Sequence, residues 1–213
     1  MKLARMLVVC GAAVLLPAGM AQRWEVGGGV GGGFYSSRDV TSPGGTASAK
    51  IQSNLSASAW LANSRHSHIG GELRYDYQRG DLQLRQGSTE ARFGAETHAL
   101  HYDVHYHFTD SEAKVRPFVG AGAGIKIYNG TGTEVAAQPL SKIALLTKAR
   151  DLTALVSVGA GLKVHISPRV QLRLEVHDYL TPFPKQVITP ALGASVGGWL
   201  QDIVPTIGLS FTN

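Results

Sequence analysis

From Gln22 onward, apolar and polar residues alternate with a period of two. That pattern places successive side chains on opposite faces of extended strands and leaves no room for a helical bundle. The clearest run is 98–109, where Leu100, Tyr102, Val104, Tyr106 and Phe108 share one face and Ala99, His101, Asp103, His105 and His107 the other. In 152–166 an apolar face from Leu152 to Ile166 opposes Ser157, Gly159, Gly161, Lys163 and His165, with Leu155 as an exception. In 170–177 Val170, Leu172, Leu174 and Val176 oppose Gln171, Arg173, Glu175 and His177. Looser versions occur at 24–34, 51–61 (Ile51 and Leu55 on the apolar face), 69–77 (Glu72, Arg74 and Asp76 on the polar face), 117–127 and 203–211, which makes eight segments.

The connections alternate as well. Short polar joins lie at 62–67, 110–116 and 167–169, and longer stretches rich in Gly, Ser, Thr, Pro and Gln lie at 35–50, 78–94, 128–150 and 180–201. An even number of antiparallel strands with short turns at one rim and long loops at the other predicts an all-β fold, a closed up-and-down transmembrane barrel of eight strands. Closure is required in a bilayer, where an open sheet edge would leave backbone groups unpaired. Trp24 and Phe34 stand ten residues apart on one face, about 33 Å along a strand at ~3.3 Å per residue. Tilted by ~40°, that span projects to roughly 25 Å, the height of an outward apolar band between aromatic girdles.

Composition narrows the alternatives. Mean hydropathy is zero, which argues against a polytopic helical membrane protein. The 26 glycines among 213 residues are too many for a helical bundle, and too regularly placed for disorder. Lys2 and Arg5, an uncharged run from Met6 to Leu16, and small residues ending at Ala21 predict a secretory signal peptide over 1–21, with the barrel domain spanning 22–213. Cleavage would remove Cys10 and leave eighteen basic against fifteen acidic side chains. A chain without cysteine cannot be stapled by disulfides, and a charge of +3 with scattered basic residues does not suggest a nucleic-acid partner.

No motif carries chemistry convincingly. Gly27, Gly29 and Gly32 match a GxGxxG spacing, but no helix follows, so the glycines read as a small barrel face. The eight histidines include HSH and HYH spacings that resemble metal ligation. His101 and His105 would lie ~13 Å apart on one strand, so no metal site is expected without donors from another strand. His165, Ser167 and Glu175 offer the residue types of a lipid-hydrolysing enzyme, yet Ser167 precedes Pro168 in a turn on the wrong side of the membrane. No residue is assigned a catalytic role, and no cofactor is implied. The proline-containing, unusually apolar stretch 180–201 would either pack on the barrel mouth or expose a binding patch, and 141–149 would form either a strand or a short helix.

The residues 116–128 (RPFVGAGAGIKIY), 170–180 (VQLRLEVHDYL) and 204–211 (VPTIGLSF), together with the leader, resemble the small eight-stranded outer-membrane β-barrels, such as the OmpA transmembrane domain, OmpX and the opacity proteins. The resemblance implies a cell outer-membrane location, contact with outer-membrane lipid and lipopolysaccharide, and assembly by the outer-membrane machinery. It brings no catalytic motif. Its members often end on an aromatic residue, whereas Phe211 is followed here by Thr212 and Asn213. The expected role is structural or interaction-based, with an extracellular partner meeting the four long loops. The alternatives are a narrow pore or small-ligand carrier, a lipid-modifying enzyme of the lipid A deacylase kind, and a soluble secreted β-barrel. An eight-stranded lumen is only wide enough to be filled by side chains. Glu72, Arg74, Asp76, His101, Asp103, His105, Lys163, His165, Arg173, Glu175 and His177 are therefore expected to form an interior polar network.

Overall fold

The computed structural model describes residues 23–52, 55–64, 68–135 and 137–213. The expected leader lies outside the described residues, as does His66. Among the described residues thirteen strands follow one another. β1 (Arg23–Gly32), β2 (Phe34–Tyr35) and β3 (Arg38–Ser42) run one way, and β4 (Gly45–Gln52) and β5 (Leu55–Ser64) return. The long pair β6 (Ile69–Gln86) and β7 (Thr89–His107) comes next, followed by β8 (Val115–Gly130), the short β9 (Ala144–Leu146) and β10 (Arg150–Ser167). β11 (Val170–Pro182), the short β12 (Ile188–Pro190) and β13 (Trp199–Thr212) complete the chain.

Antiparallel pairing runs β1–β5–β6–β7–β8–β10–β11–β13 and returns to β1, where Val26 sits opposite Phe211. The sheet is thus a closed eight-stranded ring. Strands adjacent in sequence are adjacent in space, so the joins at one end can be short. At that turn end, Pro168 and Arg169 alone separate β10 from β11. The wall exposes Val26, Val30, Leu61, Leu73, Val104, Val158 and Ile207 outward, with Phe108 and Phe211 near the turn end and Phe34 and Trp199 near the other. An apolar surface encircling the molecule requires a nonaqueous surrounding, and closure satisfies the backbone of every rung there.

The strands do not stop where the outward apolar pattern stops. The stretch 78–94, expected as a loop, continues β6 and β7 in register to the rung Gln86–Thr89, where a two-residue turn begins with Gly87 at φ 57°. The expected loop at 35–50 is likewise a hairpin of β3 and β4. The polarity of the wall inverts in this extension. Below it, Glu72, Arg74 and Asp76 point inward; above it, the inward positions are Leu82, Leu84, Ala91 and Phe93, and the outward ones include Asp81, Gln83, Arg85, Glu90 and Arg92. A strand that is polar outside and apolar inside belongs in water, around a dry core. Near the tip Arg92 donates to Glu90, and this bond holds the Glu90 carboxyl below the usual carboxylate range.

One inward assignment follows from a register change. Ile51, expected on the outward face with Leu55, is buried, whereas Leu55 is exposed. Ile51 pairs with Leu82 and Ser56 with Gln78, so this side spends one residue more than β6 over the same span. An extra residue in one partner swaps the faces beyond it.

The extension encloses a hydrophobic core of its own, the head. Tyr35, Val40, Ile51, Leu82, Leu84, Phe93 and Tyr128 line it from the wall, and Ile143, Leu146, Phe183, Val187, Ile188, Val196 and Leu200 fill it from the two long connections. Within 141–149 the strand alternative holds for Ala144–Leu146, which pairs with Ile188–Pro190 as a small lid. The apolar side chains of 180–201 thus pack onto the barrel mouth, although Leu192 stays fully exposed and Trp199 half-exposed.

Candidate functional site: the charged interior of the barrel

Alternation aims every second side chain of each strand into the ring, so residues far apart in sequence meet across it. Arg173 on β11 is the hub. Its Nη1 donates to Glu25 Oε1 at 3.0 Å and to Glu72 Oε2 at 2.7 Å, and its Nη2 donates to Glu175 Oε2 at 2.7 Å. Arg74 on β6 donates to Glu175, reaches Glu72 Oε1 at 3.4 Å and donates through Nε to Asp76 at 3.2 Å. Lys163 Nζ on β10 donates to Glu25 Oε2 at 2.6 Å. All these side chains are buried. Charges survive such burial only when paired and hydrogen-bonded, and the planar guanidinium forks supply several donors at fixed angles.

Imidazoles continue the network upward. His101 on β7 bridges two carboxylates, with Nδ1 2.9 Å from Asp103 Oδ1 and Nε2 3.3 Å from Asp76 Oδ2. Asp76 also accepts from Ser58 Oγ at 2.5 Å and from the Tyr179 hydroxyl at 2.8 Å, and Asp103 Oδ2 accepts from Ser157 Oγ at 3.1 Å. His177 Nε2 stands 3.5 Å from Asp103 Oδ2, and His105 Nδ1 stands 4.0 Å from Glu72 Oε2. Ten of the eleven interior residues expected from the sequence therefore meet in one cluster. His165 is the exception. It is half-buried in the recess at the turn end, where Nδ1 contacts the Ala113 carbonyl and Nε2 contacts Gln171. The inward face there coincides with the last rungs of β10, where the register shifts between His165 and Ser167.

Several members were not singled out in the sequence. Glu25 is the shared acceptor of Lys163 and Arg173, and the Trp60 ring lies under both guanidinium groups, 4.4 Å from Arg173 Cζ and 5.1 Å from Arg74 Cζ. Trp60 accounts for Gly27 of β1 and for Gly208 of β13. A Cβ at Gly27 would come within 2.6 Å of the indole, and one at Gly208 on β13 within 2.5 Å. Higher up, Ala99, Leu155, Tyr179 and Val204 form an apolar layer. Leu155, the misfit in the alternation of β10, points inward to build that layer. Above it Lys126 Nζ donates to Asp202 Oδ2 at 2.5 Å, and Gln78 Nε2 donates to the same oxygen at 2.8 Å. Inward parity within the segments gives Glu25, Trp60 and Lys126, and its extension past their ends gives Gln78, Tyr179 and Asp202.

The types of a hydrolytic centre are not assembled at His165. Ser167 Oγ accepts from the Arg169 amide at 3.4 Å in the turn, while both Glu175 oxygens are taken by arginines. On the outer face of the wall, the Tyr75 hydroxyl meets His98 Nδ1 at 2.7 Å, and Tyr77 donates to Glu96 at 3.3 Å. This pairing of aromatic and polar groups is usual at the edge of an apolar band.

No protein-family model and no curated protein sequence matches the chain. Solved structures do match. The Neisserial surface protein A crystal structure aligns over 89% of this chain and 96% of its own, with 11% identity and a TM-score of 0.54. The N-terminal β-barrel domain of Pseudomonas aeruginosa OprF aligns over 90% and 97%, with 14% identity and a TM-score of 0.45. Ail, the attachment invasion locus protein of Yersinia pestis, aligns over 89% and 99%, with 10% identity and a TM-score of 0.48. With its closed antiparallel ring, its outward apolar belt and its likeness to Neisserial surface protein A, the chain has the fold of the small eight-stranded outer-membrane β-barrels.

Proposed function

We propose that this protein is a sealed outer-membrane barrel that acts through its extracellular head, as a structural or partner-binding surface element rather than as a pore or an enzyme. The carrying observation is the filling of the lumen at successive levels: the charged cluster around Arg173, the apolar layer of Ala99, Leu155, Tyr179 and Val204, and the dry core of the head. A lumen packed in this way offers no water-lined route. The head is held by hydrogen-bonded strands and a packed core, and it carries exposed tips, Leu192 among them. A preorganised surface loses less entropy on binding than a mobile loop does. Export through a leader at 1–21, lipopolysaccharide around the apolar belt and insertion by the assembly machinery belong to the same reading.

Planar-bilayer recording of the purified protein tests the sealed lumen; a large steady open-channel current overturns it. Replacing residues 191–198 by a Gly-Ser segment tests the surface role. Cells displaying the replaced protein should lose the adhesion or aggregation that the parent confers, with no change in the heat-dependent gel shift of the barrel.

A further inference from the structure

We infer that the lumen holds a divalent transition-metal ion of the zinc class, bound by Asp103 and His105 of β7 and His177 of β11. The three ligating atoms already lie within 4.8 Å of one another, and all three residues are buried. His177 Nε2 and Asp103 Oδ2 are 3.5 Å apart. Donors bound at ~2.1 Å in tetrahedral array stand about 3.4 Å apart, so only His105 has to swing inward. The sequence-level objection to a metal was that histidines of one strand are too far apart; the ring removes it by bringing His177 across.

Two observations point to a ligand at this place. His105 Nε2 and His177 Nδ1 are buried and make no hydrogen bond, and His177 Nε2 has only the long 3.5 Å contact to Asp103 Oδ2 among the described residues. Buried polar atoms left without a partner are rare and ask for an explanation such as a bound ion. The second is the space around them. Each of the three side chains has glycine as a cross-strand neighbour: Gly122 opposite Asp103, Gly120 opposite His105 and Gly159 opposite His177. A Cβ at Gly120 would come within 2.4 Å of the His105 ring, and one at Gly159 within 2.6 Å of the His177 ring. Gly120 and Gly159 are themselves paired across β8 and β10. The glycines thus form a bare floor over which side chains from β7 and β11 reach each other.

The surrounding groups suit a metal site. Glu72 faces His105 Nδ1 and would fix the ring with Nε2 toward the ion, while His101 holds the other oxygen of Asp103. Such outer carboxylate and imidazole contacts orient ligands and raise their basicity. Ser157 Oγ, 3.1 Å from Asp103 Oδ2, helps to orient that carboxylate. Two imidazoles and one carboxylate select zinc or cobalt over magnesium or calcium.

The test uses tag-free protein refolded in detergent after chelation, with CoCl2 present during refolding or added afterwards, followed by competition with ZnCl2. One cobalt per chain should appear, with visible d–d bands of a four-coordinate site that zinc abolishes. H105A and H177A should each weaken binding at least 100-fold, and E72Q about 10- to 100-fold, whereas H98A, on the outer wall, should leave it unchanged. X-ray absorption of the zinc-loaded parent protein, which needs no variant, should count two imidazole ligands. Failure of the parent to take up cobalt under either protocol overturns the inference. So does affinity retained in the H105A/H177A double variant, or a zinc shell without two imidazoles.

Discussion

Arg173 Cζ lies 4.4 Å from the centre of the Trp60 ring, and the same guanidinium binds three carboxylates from three strands. The indole covers one side of the cation where water would otherwise be needed, and the carboxylates hold its edges. Cation–π contact is worth more when both partners are dry. This pair joins β5 to β11 across the lumen, and it ties the glycine face of β1 and β13 to the ionic cluster.

Removing Glu175 leaves Arg74 and Arg173 each short of a carboxylate. Because both arginines are fully buried, Glu175→Ala should destabilise the folded barrel by about 3–5 kcal/mol. Glu175→Gln, which keeps the shape and some hydrogen bonds, should cost less. The gel-shift midpoint in urea reports both, and a midpoint for Glu175→Ala equal to that of the parent would contradict the paired-cluster description.

Truncating Trp60 opens a cavity over Gly27 and Gly208, which have no side chains to fill it. Trp60→Ala should cost about 3–5 kcal/mol, and Trp60→Phe clearly less. Unfolding in urea, followed by tryptophan-independent gel mobility, distinguishes them. Equal midpoints for the alanine and phenylalanine variants would mean that the indole is not a packing element.

Core substitutions in the head should act locally. Ile188→Ala removes a buried side chain from the lid, at roughly 2–5 kcal/mol of packing, yet the wall rungs below do not depend on it. Limited proteolysis within 180–201 should accelerate several-fold while the heat shift of the barrel stays unchanged. If the heat shift and the proteolysis rate move together, the head and the barrel unfold as one unit.

Orientation follows from the joins. Single cysteines at Ser88 and Leu192 should react with a membrane-impermeant thiol reagent on intact cells, and cysteines at Lys114 and Arg169 should react only after the outer membrane is opened. All four positions are exposed. The reverse labelling pattern would invert the topology.

Alternation by itself determined the number of wall strands, their outward residues and most of the interior list, because a period of two maps sequence directly onto two faces. Glu72, Arg74, Asp76, Asp103 and Arg173 were legible for that reason. Tertiary structure alone decided where the faces exchange roles. The inward side of β6 turns from Asp76 to Leu84 without breaking the strand, since one part of the wall faces an apolar surrounding and the other faces water. A search for outward apolar residues therefore reads the upper rungs as loop. Only the closed ring determined that His177 meets Asp103 and His105, that Trp60 underlies Arg173, and that His165 falls outside the cluster. Those pairings depend on register and stagger between strands, and such quantities are properties of the sheet, not of any one segment.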